Sequence, residues 1–307
     1  MSLIIGARER RLDVNGLTFT AYEMGEGPLV LCLHGFPDTP DTWRHLLPRL
    51  AQEGFRAVAV TSRGYQPSSQ PNDGDYSLAA LAGDVAGWMD ALGEDKAHLI
   101  GHDWGSSILH LAAAAAPERT LSLTALAVPH PAGFSAVVAR DFDQLARSWY
   151  VFFFQAGGLA DSVAERDEQR FLAYLWSSWS PGWTPPEEHL VAMRTMFSRP
   201  GVPGAALAYY RTSFLPTHAR AADTQRLLAL PLMTRTLGLA GERDGCVSPS
   251  VFNEAMAISP FRSAAVLETI PDAGHFLHLE QPELVNERIV TWLSARQRRW
   301  RSSVTAG

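Results

Sequence analysis

The stretch from residue 97 to residue 116 constrains the fold more than any other part of the chain. Its opening, Ala97-His98-Leu99-Ile100-Gly101, is a short apolar run suited to a buried strand, and Trp104 to Ala116 reads as a helix stopped by Pro117. Between them lies Gly101-His102-Asp103-Trp104-Gly105. A strand that enters a helix through a tight turn with small residues on both sides pushes the central side chain, here Asp103, out above the sheet. An aspartate also suits a helix N-cap, but the paired glycines and the upstream strand are what an exposed nucleophile requires.

The rest of the chain extends this unit. Asn15-Gly16 between β-prone segments at 11–14 and 17–21 predicts a hairpin. Strands are predicted at 29–33, 55–60, 97–101 and 121–128, with helices at 41–52, 78–92 and 104–116; such alternation builds a parallel sheet covered by helices on both faces. From Pro131 to Asp223 the pattern turns helical and aromatic. It resumes with a strand at 232–239, a helix at 250–258, a strand at 264–270 and a closing helix from Pro282 to about Arg296. The expected fold is therefore α/β, a mostly parallel eight-stranded sheet with one helical insertion. Residues 1–130 and 224–307 would form the core and 131–223 a cap, an arrangement in keeping with 307 residues.

Composition narrows the partners. With 46% hydrophobic and 19% charged residues the chain can bury a sizeable core. With 26 basic against 32 acidic side chains, and one mixed cluster at 296–301, nucleic acid is not an expected partner. Cys32, inside an apolar strand, and the distant Cys246 read as free thiols. No segment has the length and apolarity of a signal peptide or membrane span, so a cytoplasmic protein, monomeric or homodimeric, is expected.

An aspartate at the tip of the turn selects the chemistry. A carboxylate that displaces a leaving group at saturated carbon forms an ester that water can cleave, whereas a serine would leave a stable ether; epoxides and alkyl halides are the implied substrates. An acid and a histidine must follow in that order. Asp244 in Gly241-Glu242-Arg243-Asp244-Gly245, with Glu242 as the competing acid, and His275 in Asp272-Ala273-Gly274-His275-Phe276 both follow strands, at the sheet edge where α/β folds build sites. Asp244 would hold the imidazole tautomer and His275 would deprotonate water. The backbone N–H groups of Phe36, in His34-Gly35-Phe36-Pro37, and of Trp104 would form an oxyanion hole. His34, His102 and His278 read as structural hydrogen-bonders near the site, with His34 bracing the oxyanion loop.

With His34-Gly35-Phe36-Pro37 preceding Gly101-His102-Asp103-Trp104-Gly105, the chain resembles the α/β-hydrolase-fold epoxide hydrolases over nearly its whole length. Two further segments sharpen the resemblance: Tyr150 shortly before Phe154-Gln155, and Ala206-Leu207-Ala208-Tyr209-Tyr210-Arg211, similar to the family's Ala-Leu-x-x-Tyr-Arg. The match implies that Tyr150 and Tyr210 hydrogen-bond the epoxide oxygen; Tyr209, about 100° away on a helix, would face elsewhere. A ring-opened alkoxide is far more basic than a phenolate, so a neutral phenol can protonate it. Phe36, Trp104, His34 and Phe276 are expected at the substrate pocket, and Trp176, Trp179 and Trp183 in the core of the cap. The chain departs from the family at Ser62, where an aspartate is commoner before Arg63-Gly64-Tyr65; local loop packing should differ there. A small apolar epoxide and water are the implied substrates. No cofactor or metal is expected: His98 and His102 span a strand and its turn, without an evident third ligand. Haloalkane dehalogenases share the Asp-Trp turn, but Phe36 has no donor for a halide; a non-catalytic receptor built on the fold is the alternative from another class.

Overall fold

The computed structural model describes residues 2–166, 170–214, 217–258 and 265–304. The hairpin forms as β1 (Arg8–Val14) and β2 (Leu17–Met24), both longer than their apolar alternation alone suggests. Strand β3 (Leu29–Leu33) ends before the His34-Gly35 turn. The single helix expected over 41–52 is instead a 3₁₀ turn at Pro40–Trp43 followed by α1 (Leu46–Gln52). Pro48 accounts for the break: proline has no N–H and its ring crowds the carbonyl four residues back, so it is tolerated only in a helix's first turn.

Next come β4 (Arg56–Val60), α2 (Leu78–Ala91), β5 (Ala97–His102), α3 (Trp104–Ala115) and β6 (Thr120–Leu126). Eight helices then follow before the sheet resumes: α4 (Pro131–Val138), α5 (Phe142–Arg147), α6 (Trp149–Phe153), α7 (Leu159–Glu165), α8 (Arg170–Trp179), α9 (Glu187–Phe197), α10 (Val202–Phe214) and α11 (Ala221–Leu228). Helix α11 runs past Asp223, the expected end of the insertion. The core closes with β7 (Thr236–Gly241), α12 (Pro249–Ile258), β8 (Ala265–Ile270), α13 (Leu277–Glu280) and α14 (Pro282–Val304). Strand β7 starts four residues later than its apolar run: the buried Leu232 forms an isolated β-bridge, and the continuous strand begins at Thr236. Ala264, the expected start of the last strand, and the side chains of the 296–301 cluster lie outside the described residues.

The eight strands form one sheet in the order β1-β2-β4-β3-β5-β6-β7-β8, antiparallel at β1-β2-β4 and parallel from β4 to β8. Successive side chains of the central strands point to opposite faces. Leu29, Leu31, Leu33 and Leu99 therefore enter one core, under α2 and α3, while Val30, Cys32 and Ile100 enter another, under α1 and α14. Strand order also positions the site: β3 and β5 are neighbours, so the loops carrying Phe36 and Asp103 emerge side by side; β7 and β8 are neighbours, so those carrying Asp244 and His275 do too.

Candidate active site

Asp103 stands between β5 and α3 with φ 52° and ψ −118°, a backbone conformation that L-residues seldom adopt and that costs on the order of 1–3 kcal/mol. Close packing holds it there. A side chain at Gly101 would collide with the backbone of Gly105 and Ser106, and one at Gly105 with the Leu33 carbonyl, so both flanking positions admit glycine alone. The Asp103 N–H donates to the Leu126 carbonyl at 3.2 Å, and its own carbonyl accepts from Ser107 N–H at 3.1 Å.

The carboxylate is 4% exposed and its two oxygens have different surroundings. Oδ1 accepts the Phe36 N–H at 2.7 Å, and Oδ2 lies 3.6 Å from His275 Nε2, too far for a hydrogen bond. His34 braces the Phe36 loop: its Nδ1–H donates to the Gly35 carbonyl at 3.0 Å, and Nε2 accepts the Ser62 N–H at 3.2 Å. Because Ser62 uses its backbone here, this brace is indifferent to the side chain at the position where the chain departs from the resembling family. Trp104 is the first residue of α3, where helix N–H groups lack intrahelical acceptors.

On the other side, His275 Nδ1–H donates to Asp244 Oδ2 at 3.0 Å, and Asp244 Oδ1 accepts the N–H groups of Cys246 at 2.7 Å and Val247 at 2.9 Å. Glu242, the competing acid, is exposed and accepts the Asp272 N–H instead. Burial alone would lower the His275 pKa, but the negative charge of Asp244, with Cys246 and Asp103 adding to it, holds it well above the usual histidine value. The His275 N–H and the Gly245 N–H both donate to the Trp179 carbonyl, at 3.1 and 2.9 Å, so α8 of the insertion clamps the two loops together.

A cavity of about 750 Å³ opens above Asp103. Asp103 and Trp104 form its floor from the core, and Tyr150, Tyr210, Phe134 and Val151 wall it from the insertion. Tyr150 hydroxyl contacts Cys246 Sγ at 3.2 Å; the Tyr210 hydroxyl is buried beside the Trp104 side chain and makes no well-formed hydrogen bond among the described residues, its ring packed edge-on against Trp104 with centroids 4.9 Å apart. Burial raises both phenols well above the ordinary tyrosine value, Cys246 adding most to it at Tyr150 and Asp103 at Tyr210. Tyr209 donates to the Arg63 carbonyl at 2.7 Å, outside the cavity lining.

Three of the expected pocket residues are placed elsewhere. Phe36, His34 and Phe276 are fully packed and are not among the residues that line the cavity; Phe36 meets the rings of Phe154, Phe197 and Tyr210, and Phe276 stacks on Trp176 at 3.9 Å. Their aromatic character serves the seam between insertion and core. Trp176, Trp179 and Trp183 join that seam, Trp176 donating its Nε1–H to the Pro37 carbonyl at 2.8 Å.

Sequence reasoning missed Cys246, whose only signal is its place two residues after Asp244. It also missed the buried pair in which Asp38 accepts His189 Nε2–H at 2.9 Å and ties α9 to the loop after β3; His102, expected as a structural hydrogen-bonder near the site, donates its Nε2–H to the His275 carbonyl at 2.9 Å. Among the described residues, two sets place metal-ligating atoms within 4.8 Å of one another: Asp38 with His102 and His278, and Asp244 with Cys246 and His275. The second is the acid–imidazole pair itself, and in the first the Nε2 atoms of His102 and His278 already bond the His275 carbonyl and Thr42.

Comparison with known proteins agrees with this architecture. Residues 28–282 match the alpha/beta hydrolase fold family. Mouse epoxide hydrolase 4 is 33% identical over 94% of this chain and 80% of its own length, and epoxide hydrolase A of Mycobacterium tuberculosis is 26% identical over 95% and 98%. The structure of an epoxide hydrolase from an endophytic Streptomyces superposes with a TM-score of 0.81 at 28% identity, covering 96% of this chain and 97% of that one. With a nucleophile-type turn, an acid–imidazole pair and these relatives, the chain belongs to the alpha/beta hydrolase fold family, alongside members named epoxide hydrolases.

Proposed function

We propose that this protein is an epoxide hydrolase that forms a vicinal diol through an ester on Asp103, with residues 131–223 acting as a cap over the nucleophile. The observation that carries the reading is the placement of two buried, un-ionised phenols, Tyr150 and Tyr210, in one cavity with a strained carboxylate. Hydrolysis of an ester substrate would not need proton donors opposite the nucleophile; opening an epoxide does.

Asp103 Oδ2 is the oxygen left free by the Phe36 N–H and attacks an epoxide carbon. The carbon–oxygen bond of the ring breaks, and the departing alkoxide takes a proton from Tyr210 or Tyr150. Oδ1, already on the Phe36 N–H, becomes the ester carbonyl oxygen. His275 then removes a proton from water, which attacks the ester carbon. The tetrahedral oxyanion develops on Oδ1, where the Phe36 and Trp104 amides stabilise it. Collapse expels the second alcohol, protonated by His275, and the proton of the new carboxylic acid restores the phenol. Esterification also removes the Asp103 charge that helps raise the His275 pKa, so an imidazolium present in the free enzyme releases its Nε2 proton to solvent before the neutral ring activates water. No step requires a cofactor or metal.

Turnover of styrene oxide, of a terminal haloalkane and of an aryl ester tests the reading, with Asp103→Asn as control. Diol formation abolished by Asp103→Asn, with halide and ester left unprocessed, is expected. Halide release or ester cleavage in preference to diol would overturn it.

A further inference from the structure

The cavity is far larger than an oxirane and is not uniformly apolar. Its floor at Asp103 is buried, whereas Ala222 and Gln225 of α11, at its other end, are exposed, so it runs as a channel from the nucleophile to solvent. Leu78, Val128, Phe134, Val151 and Leu228 give it apolar walls. Interrupting them is a polar strip on α10 that the mechanism does not use: Thr212 and Ser213. The Thr212 hydroxyl donates to the Ala208 carbonyl at 2.8 Å and keeps its lone pairs, while the Ser213 Oγ is shielded from solvent and has no hydrogen-bond partner among the described residues. A buried hydroxyl without a partner costs about 1–3 kcal/mol unless something bonds it. On a cavity wall, a ligand can do so.

Charge narrows the ligand further. Among the described residues that line the cavity, Asp103 is the one charged side chain, and it is anionic. A carboxylate in the channel would lose its hydration without meeting a counter-ion and would face Asp103 in a low-dielectric wall. An uncharged hydrogen-bonding group meets neither penalty. Its distance from the epoxide follows from helix geometry: Ser213 is three residues beyond Tyr210 on α10, on the same face and about 4.5 Å along the axis. An extended chain advances roughly 1.2 Å per bond. The polar group therefore sits at least three to four bonds from the ring.

We infer that this protein is specific for neutral epoxides bearing an uncharged hydrogen-bonding group, such as an amide, ester or ether, at least three to four bonds from the oxirane, with Ser213 as the residue that recognises it. This rests on the function proposed above and adds to it a substrate class and a specificity residue.

Three matched terminal epoxides test it, each with two methylenes between the ring and a terminal amide, a carboxylate or a methyl group. At neutral pH the amide is expected to exceed the carboxylate at least tenfold in kcat/KM. Ser213→Ala should lower kcat/KM for the amide about three- to tenfold, chiefly through KM, as loss of one hydrogen bond implies, and leave the methyl compound unchanged. Equal turnover of carboxylate and amide, or a Ser213→Ala enzyme with an unaltered amide-to-methyl ratio, would overturn the specificity while leaving the hydrolase reading intact. Failure to hydrolyse even the methyl compound would overturn both.

Discussion

Replacing Tyr210 with phenylalanine should make the protein more stable and less active at once, whereas the adjacent Tyr209→Phe should lower stability and leave turnover nearly unchanged. The Tyr210 hydroxyl is buried and makes no well-formed hydrogen bond among the described residues, so removing one oxygen from an otherwise unchanged ring relieves a desolvation cost of about 1–3 kcal/mol. At roughly 2 °C per kcal/mol for a chain of this size, the melting temperature should rise by about 2–6 °C. The same change removes a proton donor from the ring-opening step. Positioned acids contribute about 10²–10⁴-fold, and since Tyr150 remains, formation of the ester should slow by about 10²-fold. Tyr209, by contrast, donates to the Arg63 carbonyl outside the cavity lining. Losing that bond should destabilise by about 1 kcal/mol and change turnover less than threefold. Scanning calorimetry beside rapid-quench measurement of ester formation reads both quantities. A Tyr210→Phe protein with unchanged turnover or a lowered melting temperature, or a Tyr209→Phe protein carrying the rate loss, would refute the reasoning.

Other consequences follow from the electrostatics and packing. Asp244 is the chief group raising the His275 pKa against burial, so in Asp244→Asn burial prevails: the acid limb of ester hydrolysis should move to lower pH while the plateau rate falls, as single-turnover rates across pH would show. An unmoved limb would contradict this. Burial depresses His102 to about 4, His110 to about 3 and His130 to about 4. Their native pKa values lie below the unfolded one, so the unfolded chain takes up protons first: stability should hold above pH about 6.5 and fall as pH drops toward about 4, by on the order of 3 kcal/mol for His102 alone. Urea unfolding midpoints at pH 7 and 4.5 would test the sign, and equal midpoints would exclude it. Gly105→Ala should prevent the native turn, because the new methyl meets the Leu33 backbone carbonyl, which cannot move without disturbing β3; a soluble variant with normal near-UV circular dichroism would show the packing argument to be wrong.

The sheet was legible in the sequence because its signals are local. Buried strands must be apolar on both faces, and Gly101 and Gly105 mark a turn whose steric demands no other residue meets. The break at Pro48 is local too: its missing N–H opposes a helix through residues 41–47, although Leu46, Leu47 and Leu50 keep a helical apolar spacing. Side-chain direction was not. Phe36 and Phe276 were expected in the pocket from their neighbours in sequence, yet backbone geometry turns them into the seam where the helical insertion meets the core. The contact of Cys246 with Tyr150 and the Asp38–His189 pair join segments about 96 and 151 residues apart, distances over which no periodicity carries information.

The route through Asp103 is tested most directly by one turnover with enzyme in excess over styrene oxide in oxygen-18 water, followed by mass analysis of the Asp103 peptide. If water attacks an ester carbonyl, the heavy oxygen enters the Asp103 carboxylate and the first-turnover diol is unlabelled. If water attacks the epoxide directly, the diol carries all of the label and the peptide none, and the nucleophilic role of Asp103 falls.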